Sequence, residues 1–283
     1  MTIKSAFDYT VYSLLGDYDR KEATNISRLI LKEIFKVSNF DRTDEFGEEE
    51  ELKAIIKRLK RSEPIDYIIG HSNFFGYEFM VNKHVLIPRP ETEELVNWIL
   101  EDNKNQYKQK DVIDIGSGSG CIGITLKKKK PPFRVFALEE SMDAMNCTRI
   151  NAKRLRTNLE FFRTDFLDRS IWKAFGAFDI IVSNPPYISM SEKNKMSENT
   201  LGYEPEKALF THGNDPLVFY RHISRFAEDH LNVGGAVYVE MNEFRVKETR
   251  KIFESIFDQV EIRRDMQGKE RMLRALGMNK KST

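Results

Sequence analysis

The chain has 283 residues, of which 40% are hydrophobic and 31% charged, so it holds enough apolar material for folded domains, and wholesale disorder is excluded. Its 45 basic and 44 acidic residues leave a net charge of +1, which argues against a protein that holds nucleic acid by a broad basic surface. The 2 cysteines exclude a disulfide scaffold. No apolar run is long enough for a membrane span or a signal peptide, so we expect a cytoplasmic protein.

The first 70 residues predict helices, because apolar residues recur at helical spacing from Ile26 to Ile34 and from Leu52 to Leu59. From Tyr67 the pattern changes. Residues 68–70 and 74–81 predict short strands with a glycine turn. The sequence therefore predicts a helical segment followed by a β-hairpin.

Beyond residue 110, strands and helices alternate, which predicts a mostly parallel α/β sheet covered on both faces. The predicted strands are residues 112–115, 134–138, 159–162, 178–183, 236–241, 259–263 and 271–276. Only a short turn separates the last two, so this end of the sheet is predicted to be antiparallel. The predicted domains are a helical domain at residues 1–70, a hairpin linker at 71–87 and the larger domain at 88–283.

A glycine-rich loop follows the first strand of this sheet and opens a helix. Glycines allow the backbone to approach a ligand closely and to take positive φ angles. Glu139 stands at the end of the second strand, where a carboxylate can accept both ribose hydroxyls of a nucleoside. The candidate cofactor-binding residues are Asp114, Gly116, Ser117, Gly118, Ser119, Gly120 and Glu139.

Two cofactors compete for this loop. Gly118, Gly120 and Gly123 satisfy the dinucleotide fingerprint, so a nicotinamide-dependent oxidoreductase is one interpretation. The run from Asp114 to Gly120 suits S-adenosylmethionine, which has no phosphate and carries a positive ammonium and sulfonium that Asp114 can attract. The loop favours S-adenosylmethionine, and the oxidoreductase interpretation leaves the next motif unexplained.

The fourth strand ends in Asn184-Pro185-Pro186-Tyr187, at the same sheet edge as the glycine loop. The side-chain carbonyl of Asn184 and the backbone carbonyl of Pro185 can each accept one N–H of an –NH2 group. Tyr187 can stack on a flat amide or base. We predict an amino-group methyltransferase with Asn184, Pro185 and Tyr187 as catalytic residues.

The chain resembles the peptide chain release factor N5-glutamine methyltransferases, a class I family that uses S-adenosylmethionine. The resemblance runs from Tyr67 to Leu276, preceded by a helical N-terminus of the right size. The string Pro88-Arg89-Pro90-Glu91-Thr92-Glu93 is its most specific part, because the motif that ends at Tyr187 is shared with DNA and RNA amino methyltransferases. Further matching segments are residues 114–120, 183–188, 203–205 and 220–221.

The resemblance implies a Rossmann-like sheet of seven strands and methylation of the glutamine in the Gly-Gly-Gln motif of class 1 release factors. It implies cofactor contacts from the glycine loop and from Glu139, Phe166 and Asn184. It implies substrate contacts from Asn184, Pro185, Pro186, Tyr187, Arg89, Glu91 and Thr92. The helical domain would help to hold the release factor, and we expect a monomer without stable nucleic-acid binding.

The chain departs from the family pattern at three places: Glu139 is more often Asp in the family, Phe166 is often Trp, and a lysine run occupies residues 127–130, where we expect a solvated helix end. None of these changes breaks the site, since the carboxylate and the aromatic ring remain. A nucleic acid amino methyltransferase and a ribosomal protein glutamine methyltransferase are the alternatives. No metal site is expected, because no histidine has metal-ligand spacing with a cysteine. The histidines are His71, His84, His212, His222 and His230.

Overall fold

The computed structural model describes residues 1–188, 202–211 and 215–278. The chain forms two compact units. The helical unit comprises Met1–His71 and, among the described residues, also Gly202 and Tyr203. The α/β unit comprises the remaining described residues from Ser72 onward. Within the described residues, no helix has both the length and the apolar character that a membrane span requires.

The helical unit is built from four helices around an apolar core: α1 (Ile3–Leu14), α2 (Arg20–Leu29), α3 (Glu49–Leu59) and α4 (Ile65–Ile69), with a π-helical turn (Ile30–Ile34) after α2. Two helices begin at side-chain caps, because Thr2 accepts the amide of Ser5 and Asp19 accepts the amide of Glu22. The core contains Leu14, Ile30, Leu31 and Leu52, all fully buried. These caps and this core explain why the N-terminal residues form helices, including α1, a helix that the spacing analysis did not identify.

The prediction of a strand at residues 68–70 is wrong, because this stretch lies in helix α4 and its cap. Pro64 occupies the N-cap position, and Gly70 ends the helix with a φ of +83°. The hairpin strands follow as β1 (His71–Phe74) and β2 (Tyr77–Met80). Phe75 and Gly76 lie between the two strands, and both have a positive φ, which matches the tight turn of a two-residue hairpin.

The α/β unit contains a sheet of seven strands in the order β5-β4-β3-β6-β7-β9-β8. The strands are β3 (Asp111–Ile115), β4 (Arg134–Glu139), β5 (Glu160–Arg163), β6 (Phe178–Ser183), β7 (Leu231–Glu240), β8 (Phe257–Arg264) and β9 (Glu270–Met278). The first five pair in parallel, whereas β9 is antiparallel to both β7 and β8. The predicted seven-stranded fold with an antiparallel end is confirmed.

Helices cover both faces of this sheet: α5 (Pro90–Asp102), α6 (Cys121–Lys129), α7 (Met142–Arg154), α8 (Glu206–Leu209), α9 (Val218–His230) and α10 (Val246–Glu254), with a short 3-10 helix (Arg169–Ala174). Neighbouring side chains of β6 are therefore buried on opposite faces of the sheet. Ile180 packs in the cluster with Trp98, and Ile181 packs in the cluster with Phe226. Full burial of each such isoleucine contributes about 1.5–3 kcal/mol. Two-sided burial explains why these strands read as continuous apolar runs.

The register of the sheet brings the predicted motifs to one edge. Asp114 of β3 pairs with Val182 of β6, and Ile115 pairs with Leu138 of β4. The glycine loop, Glu139 and Asn184 therefore leave the sheet side by side, at the carboxyl ends of its parallel strands. This edge is where ligands bind in open α/β sheets.

Candidate active site

A cavity of about 350 Å³ opens at this edge of the α/β unit. The predicted residues that line it are Gly116, Ser117, Gly118, Ser119, Glu139, Phe166, Asn184, Pro186, Arg89 and Thr92. The predicted residues that do not line it are Asp114, Gly120, Pro185, Tyr187 and Glu91. The structure thus brings the glycine loop and the Asn184 segment together around one space, as the sheet topology predicts.

The glycine loop needs glycine for two different reasons. Gly116, Gly118 and Gly120 have φ angles of 75°, 55° and 82°, which side chains rarely tolerate. A Cβ at Gly120 would also lie 2.7 Å from Thr148 Cγ2, whereas Gly116 and Gly118 face open space. Backbone at these two positions is therefore accessible from the cavity.

Glu139 lies at the end of β4 and faces the cavity. Its carboxylate accepts the amide of Gly118 at 3.0 Å and the amide of Ser141 at 2.9 Å. Burial raises the pKa of Glu139, and these backbone hydrogen bonds oppose the rise. Each carboxylate oxygen has two lone pairs, so both oxygens can still accept a ribose hydroxyl.

Asp114 lies beneath the loop and is fully buried. Its Oδ2 accepts the amide of Gly123 at 3.0 Å, and its Oδ1 has no hydrogen-bond partner among the described residues. Burial raises the pKa of Asp114 to about 7. Gly123 packs so closely that a Cβ there would lie 3.1 Å from Asp114 Oδ2. In this geometry Asp114 reaches a cavity ligand only through its charge, not by direct contact.

Phe166 forms part of the cavity wall after strand β5 and is 3% exposed. Its ring stacks on Trp172 at 5.5 Å, and Trp172 Nε1 donates to the Phe166 carbonyl at 2.9 Å. Thr164 and Asp165 line the cavity beside it, and the sequence analysis did not identify them. Their position directly after a parallel strand is the signal that could have found them.

The Asn184 side chain is held by a neighbour from helix α5. Asn184 Nδ2 donates to Thr92 Oγ1 at 3.0 Å, and Thr92 Oγ1 donates to Glu240 Oε2 at 2.6 Å. Tyr187 Oη donates to Glu240 Oε1 at 3.2 Å. One carboxylate at the end of β7 therefore bonds both to Tyr187 and to the hydroxyl that holds Asn184.

Glu240 is buried, and the sequence analysis did not identify it as a site residue. Burial raises its pKa, while the hydrogen bond from Thr92 and the charge of Arg271 oppose the rise. The available signal was an acidic residue within a predicted strand, at the carboxyl edge of the sheet. Buried carboxylates without partners are costly, so such a residue indicates a polar network.

Arg89 forms an ion pair with Glu204, whose side chain is 2% exposed. This pair joins the Pro-Arg-Pro-Glu-Thr-Glu string to the segment at residues 203–205, which the resemblance also singled out. The residues after Glu204 line the cavity from Pro205 to Ala208. Glu91 instead accepts a hydrogen bond from Gln267 Nε2 at 3.3 Å.

The described residues contain no group of three or more His, Cys, Asp or Glu side chains that could hold a metal ion. His212 lies outside the described residues. Cys121 lines the cavity, and burial raises the pKa of its thiol to about 12. The thiol therefore stays protonated near neutral pH, which does not favour a nucleophilic role.

Comparison with known proteins gives three likenesses. The family model "Methyltransferase small domain" matches residues 92–226. A release factor glutamine methyltransferase of Flavobacterium psychrophilum is 36% identical over 97% of this chain and 99% of its own length. A release factor glutamine methyltransferase of Bacteroides thetaiotaomicron is 41% identical over 80% of each chain.

Among solved structures, the hMettl16 catalytic domain in complex with MAT2A 3'UTR hairpin 6 has a TM-score of 0.55 at 15% identity, over 73% of this chain and 77% of that one. This likeness shows the methyltransferase fold alone. The fold and the family imply use of S-adenosylmethionine. The identities and coverage of the two bacterial relatives go further: the chain belongs to the release factor glutamine methyltransferase family.

Proposed function

We propose that this protein methylates the side-chain amide nitrogen (N5) of the glutamine in the Gly-Gly-Gln motif of class 1 release factors. The names of its relatives support this substrate. The observation that carries the proposal is the orientation of Asn184 at the cavity wall. Its amide NH2 is engaged by Thr92, so its carbonyl oxygen is left to accept an N–H from a substrate amide.

The cavity fits S-adenosylmethionine by the chemistry of its walls. Glu139 offers carboxylate oxygens to ribose hydroxyls, Phe166 offers an aromatic ring to the adenine, and the open backbone at Gly116 and Gly118 admits close approach. The methyl donor supplies an electrophilic methyl group on a positively charged sulfur. Asp114, buried beneath the loop, contributes negative charge near the positive end when it is ionised.

The residues of the Asn184 segment position the nitrogen of the substrate. The Asn184 side-chain carbonyl lies at the cavity wall and accepts one N–H of the substrate amide. In this proposal the Pro185 backbone carbonyl accepts the other N–H, although Pro185 does not itself line the cavity. An amide nitrogen is a poor nucleophile, and these acceptors stabilise the positive charge that it gains as it attacks. Tyr187 also lies outside the cavity lining, and its hydroxyl bonds to Glu240. Most of the rate then comes from positioning, and a strong general base is not required.

We propose that the helical domain, residues 1–70, docks the release factor, with residues 71–87 as the linker. The exposed aromatic residues of α1 support this role, since Tyr9 is 41% exposed and Tyr12 is 62% exposed. Exposed aromatic side chains are typical of binding surfaces. A monomer suffices for this mechanism, and stable binding of nucleic acid is not part of it.

The test is methyl transfer from labelled S-adenosylmethionine to four acceptors in parallel. They are a class 1 release factor, the same factor with its Gly-Gly-Gln glutamine replaced, total ribosomal protein and total RNA. We expect label on the intact release factor only. Label on RNA alone would establish a nucleic acid amino methyltransferase instead, and label on ribosomal protein alone would establish the other glutamine substrate.

A further inference from the structure

A buried hydrogen-bond chain links the end of strand β7 to the Asn184 segment. It runs from Glu240 to Thr92 at 2.6 Å and from Thr92 to Asn184 at 3.0 Å. Thr92 is 2% exposed and Glu240 is 3% exposed, so water does not compete for these bonds. The direction of each hydrogen bond is therefore set by the chemistry of its neighbour.

That chemistry leaves one arrangement. Each oxygen of the Glu240 carboxyl group accepts a hydroxyl, from Thr92 at 2.6 Å and from Tyr187 at 3.2 Å, so the single hydroxyl hydrogen of Thr92 goes to Glu240. The Thr92 oxygen can then only accept from Asn184. Asn184 must turn its NH2 toward Thr92, and its carbonyl oxygen is left for a ligand.

We propose that Thr92 and Glu240 are positioning residues that fix the amide orientation of Asn184, and with it the preference of the site for substrates that donate N–H. This inference rests on the proposed function and deepens it. With the amide flipped, Asn184 would present its own NH2 to the substrate NH2, and no hydrogen bond could form between two donors. The chain thus excludes the unproductive orientation before substrate arrives.

The scaffold keeps this chain in place. Glu240 is the last residue of β7 and pairs with Met272 of β9, and its backbone carbonyl accepts Tyr220 Oη at 3.1 Å. Thr92 lies in the first turn of α5, which begins at Pro90. Burial raises the pKa of Glu240, and the hydrogen bond from Thr92 and the charge of Arg271 oppose that rise. Rigid elements therefore carry both positioning side chains.

The kinetic test compares Thr92→Val, which keeps the shape but loses the hydroxyl, with Thr92→Ser, which keeps the hydroxyl. We expect Thr92→Val to lower kcat about 10- to 100-fold, because small misplacement of a reacting group is costly. The KM for release factor and the affinity for S-adenosylmethionine should change little, whereas Tm should fall because buried Glu240 Oε2 loses its hydroxyl partner. Thr92→Ser keeps the hydroxyl and should lose much less kcat and Tm than Thr92→Val. Equal losses of kcat in both variants, or loss of cofactor binding in Thr92→Val, would overturn the proposal.

A double-mutant cycle tests whether Thr92 acts through Asn184. In an Asn184→Ala background, Thr92→Val should cost little more, because the side chain that it orients is gone. Glu240→Gln presents an NH2 to one of the two hydroxyls and so disturbs the same hydrogen-bond chain. The fall in kcat that it causes should therefore not add to the fall in kcat that Thr92→Val causes. Fully additive losses would mean that Thr92 and Glu240 act independently of Asn184.

A measurement without substrate separates this proposal from the proposed function. The side-chain amide resonance of Asn184 in a ¹⁵N-labelled protein is identified by its absence in Asn184→Asp. It should shift in Thr92→Val and stay in Thr92→Ser, and an unchanged resonance in both would refute the chain. Failure of the proposed function would show instead as absent wild-type transfer to the release factor.

Discussion

Buried polar side chains of the helical unit and of the candidate site differ in the groups to which they bond. In the helical unit, Thr10 and Ser27 are buried but bond only to carbonyls of their own helices, at 2.7 Å each. In the α/β unit, buried Asp114 and Glu240 bond to groups from other segments of the chain. Local bonds of the first kind stabilise a helix, whereas bonds of the second kind hold reactive groups in place. Bonds of the second kind therefore support the proposal that the chemistry lies in the α/β unit.

The largest expected effect is in the α/β unit. Asn184→Ala removes the acceptor for a substrate N–H, so turnover should fall about 100- to 1000-fold, the range for loss of one preorganised hydrogen-bonding group. Binding of S-adenosylmethionine, measured by calorimetry, should stay much nearer to wild type. Turnover within a few-fold of wild type would remove Asn184 from the mechanism.

The second effect concerns the buried charge of Asp114. Its pKa is about 7 in the folded protein against an ordinary value of 3.8, so the folded state holds a proton that the unfolded state has lost. The free energy of unfolding should therefore fall as pH rises between these values, by about 1.4 kcal/mol for each pH unit. Above the folded pKa this contribution stays constant.

Asp114→Asn keeps an oxygen for the Gly123 amide and removes the ionisation. Urea unfolding at several pH values should show a flatter dependence in the variant than in the wild type. The slope that remains belongs to other groups, including Glu139 and Glu240, whose pKa values burial also raises. Identical slopes in the two proteins would contradict a raised pKa at Asp114.

The smallest effect is expected in the helical unit. Tyr12→Ala removes a side chain that is 62% exposed, so Tm should change little. The KM for intact release factor should rise several-fold, as for a moderately important interface residue. Transfer to a short Gly-Gly-Gln peptide, which lacks the rest of the release factor, serves as the control and should be unaffected. A loss of kcat with both acceptors would place Tyr12 in the chemistry and erase the distinction between the units.

The position of the candidate site at one sheet edge could be predicted from the sequence, because parallel strands place their carboxyl ends together whatever conformation the connecting loops have. Apolar runs located the strands, and the residues after them gave the glycine loop, Glu139 and Asn184. The bond between Thr92 and Glu240 could not be predicted, since it depends on how α5 packs against the end of β7. The short apolar run at residues 68–70 was misread because its length does not distinguish a helix from a strand.

The close packing of Gly123 against Asp114 limits which substitutions the two positions tolerate. A Cβ at Gly123 would press on both Asp114 Oδ2 and Val135 Cγ1, each at 3.1 Å. A larger residue at 123 therefore requires the side chains at both 114 and 135 to move away or to be smaller. In related proteins, a residue larger than glycine at position 123 should therefore occur together with smaller or displaced side chains at positions 114 and 135.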